Sequence, residues 1–356
     1  MNYIDDSIGL LRKMIATPSF SFEEEKVCKL ISESLSDWGI RHQVLKNNIL
    51  AFNKEYNPSL PTLVLDAHID TVQPASTYSR DPFDPGNDDD TIFGLGANDD
   101  GGSVVSMIAT FRYFYDKPLS INLALSLTAE EERSGADGAR WLFSEEGPFG
   151  KKQPEWVILG EPTNMRAATS ERGLLVLDGE ATGVSGHAAR NEGVSALYIA
   201  LDDITALRNH RFTKVSPLMG EVKLNVTQIN AGTAHNVIPD KCTFVVDIRP
   251  TEQYSNEEIL AEVQALCKST LTPRNMKNRS SATKSGSELI RIASEMGIET
   301  FSSPTTSNWM RVSSDAIKMG PGDSSRSHHA DEFILRSEIE DAVNKYIKFI
   351  TSLCSE

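Results

Sequence analysis

Short apolar runs that end in acidic residues or histidine constrain this chain most. The runs Thr62–Leu65, Ile121–Leu127 and Trp156–Leu159 have the length and composition of buried strands, and the helical stretch Gly102–Tyr115 separates the first two. This alternation is typical of βα units around a buried sheet. The sequence therefore predicts an α/β domain whose polar residues gather at the carboxyl ends of its strands, where open sheets place their sites.

A different pattern begins at about Gly173 and predicts a second domain. Three segments alternate like half-buried strands: 174–181, 221–229 and 243–248. Two other segments have helical patterns: 195–208 and 256–268. Two helices on one face of an antiparallel sheet make an α+β domain.

The last part of the chain returns to the first pattern. After the polar stretch Asn275–Ser287, the sequence predicts a helix, a short strand and the final helix Glu338–Leu353, and this tail carries a further histidine motif. We therefore interpret the second domain as an insertion in the first. The predicted boundaries are 1–172 and 285–356 for the catalytic domain and 173–284 for the insertion.

The charge balance excludes several classes of function. The 356 residues include 50 acidic and 35 basic ones, and the resulting formal charge of -15 disfavours binding to nucleic acid or to anionic membranes.

The N-terminal sequence lacks the pattern of a signal peptide and no apolar run could span a membrane, so we expect a cytoplasmic protein. The four cysteines show no C-x-x-C pairing and are expected to be reduced thiols.

His68 and Asp70 follow the first apolar run. Alternation along a strand turns both side chains to the same side, so Asp70 is positioned to orient His68 as a metal ligand. The alternative is an ordinary histidine at the end of a strand.

The glycine-rich stretch Gly94–Gly102 predicts a tight turn that leads into a helix. Such turns often bind phosphate, but the adjacent carboxylates of Asp99 and Asp100 disfavour an anion. A carboxylate in this position is instead suited to bridge two cations, because the glycines allow close approach of the backbone. The alternative is an ordinary turn.

Acidic residues also follow the other two apolar runs. Glu130, Glu131 and Glu132 come at the end of one run, and Glu161 follows the other. Three carboxylates at the end of a buried strand would repel one another strongly without a cation, which disfavours a solvated charge run. If metal ions bind there, one carboxylate can be a ligand while its neighbour accepts a proton from water.

A polar, glycine-rich loop near the C-terminus carries two adjacent histidines, which are either exposed surface residues or a source of one more metal ligand. Nitrogen and oxygen ligands without a thiolate suit Zn²⁺, and also Co²⁺ or Mn²⁺. A bridging acid with two ligands for each ion describes a two-metal hydrolytic site. The candidate ligands are His68, Asp99, Glu132, Glu161 and His328.

In their order along the chain, these motifs resemble those of the acetylornithine deacetylase and succinyl-diaminopimelate desuccinylase family of dinuclear zinc metallohydrolases. The resemblance spans nearly the whole chain and implies a mixed sheet sandwiched by helices, with the insertion serving as a lid and dimerisation domain. The matching motifs are His68-Ile69-Asp70 to H-x-D, Gly94–Asp99 to G-x-G-x-x-D, Thr128–Glu132 to T-x-[DE]-E-E, Gly160–Thr163 to G-E-P-T and His328–Glu332 to H-x-x-[DN]-E.

The resemblance also implies two Zn²⁺ ions in each subunit. His68 and Glu161 would bind one ion, Glu132 and His328 would bind the other, and Asp99 would bridge them. The family's final histidine lies four residues before a glutamate, which selects the first of the two adjacent histidines.

Catalytic roles follow from the same resemblance. Glu131 would be the general base, and Asp70 would orient the nearby histidine ligand. In the insertion, the motif G-V-S-G-H-A resembles a lid motif whose histidine, here His187, stabilises the oxyanion, in some members from the partner subunit; a capped loop histidine is the alternative. Asn236 and Arg249 would bind polar groups and the carboxylate of the substrate, and the insertion would form a homodimer.

The stretch Lys318–Ser324 is most similar to the amino-acid deacylases of this family. We therefore expect hydrolysis of an N-acyl amino acid, most directly N2-acetyl-L-ornithine to L-ornithine and acetate in arginine biosynthesis. The alternatives are a deacylase for N-succinyl amino acids, N-acetylcitrulline or N-acetyllysine, a dipeptidase or aminopeptidase of the same family, and a binding protein without activity. Many members have D-x-K-G where this chain has Asp99-Asp100-Gly101-Gly102, so an expected lysine is missing.

Overall fold

Helices are interspersed with strands along the chain. The computed structural model describes residues 3–190 and 192–355. Within these residues, none of the helices combines the length and the apolar character that crossing a lipid bilayer requires. The α-helices are α1 (Tyr3–Ile15), α2 (Glu25–Asp37), α3 (Gly102–Phe114), α4 (Ala139–Leu142), α5 (Ala196–Asn209), α6 (Asn256–Leu266), α7 (Glu288–Glu295) and α8 (Arg336–Cys354). The strands are β1 (His42–Leu45), β2 (Asn48–Phe52), β3 (Thr62–His68), β4 (Thr91–Phe93), β5 (Asn122–Thr128), β6 (Trp156–Leu159), β7 (Ala167–Glu171), β8 (Leu175–Thr182), β9 (Gly186–His187), β10 (Lys223–Ala231), β11 (Val237–Ile238), β12 (Lys241–Arg249), β13 (Thr270–Pro273), β14 (Ser281–Ala282), β15 (Thr300–Ser303), β16 (Asp315–Lys318) and β17 (Phe333–Leu335).

The chain divides into two units, and the second interrupts the first in sequence. The first unit comprises Met1–Thr169, Thr283–Phe301 and Ser307–Glu356, and the second comprises Ser170–Ala282 and Ser302–Thr306. Residues 302–306 therefore lie with the second unit, although the sequence analysis places them in the catalytic domain. Two contacts explain the difference: Ser170 Oγ donates to Ser302 Oγ at 2.8 Å, and Thr306 Oγ1 donates to the carbonyl oxygen of Arg172 at 2.9 Å.

The first unit is built on a mixed sheet whose central strands are parallel. The strand order through this unit is β1-β2-β5-β3-β6-β16-β7. β3 pairs in parallel with β5 and β6, and β6 pairs in parallel with β16, whereas β1, β2 and β7 run antiparallel to their neighbours in this order. The mixed sheet that the resemblance implies is thereby confirmed.

This sheet is covered on both faces because its strands are apolar on both sides. Every residue of β5 is buried, and so is β3 from Leu63 onwards. Helices α1, α2, α3 and α8 share a core with Leu63 and Leu65 on one face. On the other face, α4 and the short turn Asn308–Arg311 share a core with Val64. The predicted arrangement of helices around a sheet is confirmed.

The second unit is an antiparallel sheet with two helices, as the sequence predicts. Its strand order is β10-β12-β8-β13, with every pair antiparallel. Along β8, Leu175, Leu177 and Ala181 are buried in a core that α5 and α6 share, whereas Asp178 and Glu180 are exposed. One face of the sheet therefore packs against the helices.

Candidate metal centre

His68, Asp99 and Glu132 lie together at the carboxyl edge of the sheet in the first unit. Each of the three offers one ligand atom, and these atoms lie within 4.8 Å of one another. His68 ends β3, Asp99 lies in the turn Ala97–Gly101 before α3, and Glu132 lies in the short turn after β5. His68 Nε2 is 3.1 Å from Asp99 Oδ1. Three segments that are distant in sequence thus converge on one point.

His328 joins this group through its ring. Its Nε2 is 3.0 Å from Glu132 Oε1 and 3.7 Å from Asp99 Oδ2. The hydrogen bond with Glu132 raises the pKa of His328 to about 9, although burial acts in the opposite direction. His328 and the neighbouring candidate His329 are both exposed residues, so the contacts with Glu132 and Asp99, and not burial, connect His328 with the centre.

Asp70 lies beneath the centre and is one of its most buried residues. His68 Nδ1 is 2.9 Å from the carbonyl oxygen of Asp70 and 3.5 Å from its Oδ1, so the closer acceptor is the main chain and not the expected carboxylate. The carboxylate oxygens instead accept the N–H groups of Glu131 and Glu132, at 3.0 Å and 3.1 Å, and the hydroxyl of Ser21. Burial would raise the pKa of Asp70, but the His68 ring, with smaller contributions from Ser21 and the N–H of Glu131, lowers it below its usual value.

Two further carboxyl groups lie near the centre and interact electrostatically with its residues. Burial raises the pKa of Glu131 well above its usual value; His68 lowers it, and repulsion from Glu132 adds to the rise. Burial also raises the pKa of Glu161, although the ammonium group of Lys318 acts in the opposite direction. Lys318 ends β16 with 1% of its surface exposed, and the sequence analysis assigns it no role.

The donor set fits divalent cations. Burial raises the pKa of Asp100 to about 8, and repulsion from Asp99 contributes to this rise. Asp100 Oδ1 is buried and, among the described residues, has no hydrogen-bond partner. Carboxylates crowded in this way oppose each other's ionised forms, and a cation among them would relieve that repulsion. Imidazole nitrogen with carboxylate oxygen is the ligand chemistry of Zn²⁺ and similar ions.

Glu332 holds the turn that carries Asp99, a role that the sequence analysis does not assign. Its carboxylate accepts the N–H groups of Gly96 at 3.1 Å, Asn98 at 2.8 Å and Asp99 at 2.9 Å. Burial raises the pKa of Glu332 to about 8. The sequence signal was its fixed spacing from His328, which indicates a constraint without revealing its partners.

A buried polar group lies under the centre on the face of the sheet that α4 covers. Ser126 Oγ donates to Asp66 Oδ1 at 2.6 Å, and Asn308 Nδ2 donates to Thr128 Oγ1 at 2.9 Å. Asn308 also donates to Asp66 Oδ2 at 3.4 Å. The available signals were Asp66, which directly follows the run Thr62–Leu65, and Ser126, which interrupts the run Ile121–Leu127.

In the second unit, the structure brings His187 and Asn236 together. Strand β9 pairs with β11, and the N–H of Ala188 donates to the carbonyl oxygen of Asn236 at 3.0 Å. Both His187 and Asn236 are exposed. Arg249 ends β12 and is held separately, because its Nε and Nη2 donate to the two carboxylate oxygens of Asp247 at 2.8 Å and 3.0 Å.

Known proteins share this sequence pattern and fold. Residues 64–352 match the peptidase family M20/M25/M40. An acetylornithine deacetylase from Edwardsiella ictaluri is 31% identical over 75% of this chain and 72% of that protein. A succinyl-diaminopimelate desuccinylase from Xanthomonas campestris pv. campestris is 29% identical over 73% of this chain and 72% of that protein. A dinuclear metal binding peptidase of the M20 family from Bacillus subtilis shares the fold, with a TM-score of 0.74 and 16% identity over 99% of both chains. This chain therefore belongs to the peptidase family M20/M25/M40 and is a metallohydrolase.

Proposed function

We propose that this metallohydrolase removes the acyl group from the α-nitrogen of an amino acid. N2-acetyl-L-ornithine is the proposed substrate and L-ornithine and acetate are the products, a step of arginine biosynthesis. The convergence of His68, Asp99, Glu132 and His328 is the observation that supports hydrolysis. The similarity to an acetylornithine deacetylase supports the choice of substrate.

The proposed cofactor is a pair of Zn²⁺ ions, for which Co²⁺ or Mn²⁺ could substitute. His68 and Glu161 would hold one ion, Glu132 and His328 the other, and Asp99 both. The excess of buried carboxyl groups supports this assignment, and so does the likeness to a dinuclear metal binding peptidase. When bound, the ions would lower the pKa of a water molecule and polarise the amide carbonyl of the substrate.

Glu131 is the proposed general base. Its main chain is fixed by the hydrogen bond to Asp70. Its neighbour Glu132 contacts His328 and would be used as a ligand, which leaves the Glu131 carboxylate for proton transfer. Glu131 would accept the proton of the water that attacks the acyl carbon and would deliver it to the nitrogen that leaves as the carbon–nitrogen bond breaks.

The second unit would supply the remaining contacts to the substrate. His187 Nδ1 accepts the N–H of Ala189 at 3.2 Å, which leaves Nε2–H as the donor for an oxyanion. Asn236 would bind a polar group of the substrate. Arg249 would bind the substrate carboxylate through its Nη1 edge, since Asp247 engages the other two nitrogens.

We further propose a homodimer that forms through the second unit. Strand β10 lies at an edge of its sheet, and Ile229 on this strand is 44% exposed. Helix α5 exposes 70% of Tyr198 and 44% of Leu201. An open strand edge and exposed apolar side chains are typical of an interface. Sedimentation velocity should show a dimer, whereas a fully active monomer at every assayable concentration would contradict this proposal.

A substrate panel supplied with Zn²⁺ tests the proposed activity. It contains the N-acetyl and N-succinyl forms of ornithine, citrulline, lysine and diaminopimelate, together with dipeptides. We expect the highest kcat/KM for N2-acetyl-L-ornithine. A preference for succinyl substrates would support the desuccinylase alternative, to which the Xanthomonas campestris relative points. Hydrolysis of dipeptides alone would indicate a peptidase, and tight metal binding without turnover of any compound would indicate a binding protein.

A further inference from the structure

The turn after β5, residues 129–132, is held by side chains from other parts of the first unit. The N–H of Ala129 donates to Asn48 Oδ1 at 2.9 Å, and the N–H of Glu130 donates to Glu24 Oε1 at 3.1 Å. The next two N–H groups donate to the carboxylate of Asp70, as described above. Four consecutive N–H groups thus meet side-chain acceptors, because β5 has ended and its pairing no longer satisfies them.

Glu24 is 1% exposed and immediately precedes α2. Its Oε1 accepts a second N–H group, that of Phe22, at 2.7 Å. Both donors have left-handed backbone conformations, with φ of 75° at Phe22 and 62° at Glu130. Residues other than glycine seldom adopt this conformation, and it persists only where the surroundings hold it in place. One carboxylate oxygen therefore supports two such residues at once.

Asn48 begins β2 and is fully buried. Its Nδ2 donates to the carbonyl oxygens of Leu45 at 2.7 Å and Asp137 at 2.8 Å, while its Oδ1 accepts the N–H of Ala129. The amide group thus ties the turn between β1 and β2 to both ends of the loop that follows β5. This contact fixes where that loop leaves the sheet.

We propose that Glu24 and Asn48 are positioning residues for Glu131 and Glu132. They act through the backbone of the two preceding residues and set the direction in which these acidic side chains leave the turn. The proposal rests on the proposed roles of Glu131 as base and Glu132 as ligand. Neither Glu24 nor Asn48 needs to touch the substrate or a metal ion.

Variants of Glu24 separate the acceptor oxygen from the rest of the side chain. Glu24→Ala removes the acceptor and should lower kcat by about 10–100-fold with little change in KM, because small displacements of catalytic groups have effects of that order. It should also weaken Zn²⁺ binding in competition with a chelator. Glu24→Gln retains an oxygen for both N–H groups and should behave like the wild type. Glu23→Ala, which changes an exposed neighbour, is the matched control.

Hydrogen exchange provides a readout that does not depend on any substrate. In the metal-free protein, amides 129–132 should exchange faster in Glu24→Ala than in the wild type or in Glu23→Ala. Faster exchange combined with wild-type kcat and Zn²⁺ affinity would overturn the positioning role. A loss of activity that merely follows the unfolded fraction would do so too.

Asn48→Ala keeps the test decisive if Glu24→Ala does not fold. A folded Asn48→Ala protein should show the same loss of kcat and Zn²⁺ affinity, and wild-type values for both would refute the proposal. Failure of the proposed function is recognised separately by Glu131→Gln. If that variant turns over at the wild-type rate, Glu131 is not the base, and the Zn²⁺ affinity and exchange results still decide whether Glu24 and Asn48 position Glu132.

Discussion

Glu332 offers the sharpest test of how the turn that carries Asp99 is held. Its buried carboxylate accepts the N–H groups of Gly96, Asn98 and Asp99. Glu332→Ala leaves these three groups without their acceptor. Glu332→Gln keeps Oε1, which binds Asn98 and Asp99, but replaces Oε2, which binds Gly96, with an amide donor.

The size of the effect follows from the number of hydrogen bonds. Because the pKa of Glu332 is about 8, its carboxyl group is charged only above that pH, so unfolding is measured at about pH 9. A hydrogen bond to a charged group contributes about 1.5–3 kcal/mol, so three of them set an upper bound of roughly 4.5–9 kcal/mol for Glu332→Ala. Water that enters the vacated space would recover part of this, and we expect the free energy of unfolding to fall by at least about 3 kcal/mol. Glu332→Gln loses one hydrogen bond, so its free energy of unfolding should be lower than that of the wild type by roughly 1.5–3 kcal/mol.

Tryptophan fluorescence during urea unfolding measures the free energy of unfolding of the first unit. The tryptophans at positions 38, 141, 156 and 309 all belong to the first unit, so their emission reports on that unit. Metal-free protein is used so that ion binding does not contribute to stability. Glu299→Gln is the control, because the Glu299 side chain is 70% exposed and its ion pair should contribute less than about 1 kcal/mol. If the free energy of unfolding of Glu332→Ala were within about 0.5 kcal/mol of the wild-type value, the reasoning would be refuted.

Three further predictions concern the metal centre and the thiols. Glu131→Gln should retain Zn²⁺ but lower kcat by about 10²–10⁴-fold, and wild-type turnover would remove its role as general base. A chelator should abolish activity and added Zn²⁺ or Co²⁺ should restore it, whereas activity in protein shown by elemental analysis to be metal-free would contradict a metal-dependent reaction. Burial raises the pKa of Cys28 and of Cys267 to about 11, so both should stay as unreactive thiols at pH 8. Thiol reagents should label the buried Cys28 only after unfolding and the partly exposed Cys267 only slowly, and rapid labelling of either residue in the native protein would show that it is an accessible thiolate.

The strands and the edge where they end could be predicted because both depend on local patterns. The apolar run predicted at Ile121–Leu127 corresponds to β5, Asn122–Thr128, and the run at Trp156–Leu159 corresponds to β6 with the same bounds. Parallel pairing then requires the residues after these strands to meet at one edge. The sequence alone therefore indicates which side chains lie near His68.

Contacts between a side chain and a distant backbone group could not be predicted in this way. Glu24 stands between Glu23 and Glu25, and all three together resemble the exposed, acidic start of a helix. Only Glu24 is buried, because the chain before α2 turns back and places it against the backbone of Glu130. Helical periodicity carries no information about that contact, since it depends on how the start of α2 packs against a turn about a hundred residues later.

Five carboxylates in and around the metal centre fall into two groups according to the donors that face them. Glu24, Asp70 and Glu332 accept backbone N–H groups and so hold turns in place. Asp99 and Glu132 face imidazole nitrogens instead. A cation can take the place of a proton between an imidazole and a carboxylate, whereas a cation on the oxygens that accept these N–H groups would compete with the hydrogen bonds that hold the turns. The same residue type therefore serves as scaffold or as candidate ligand, and the donor, rather than burial alone, determines which.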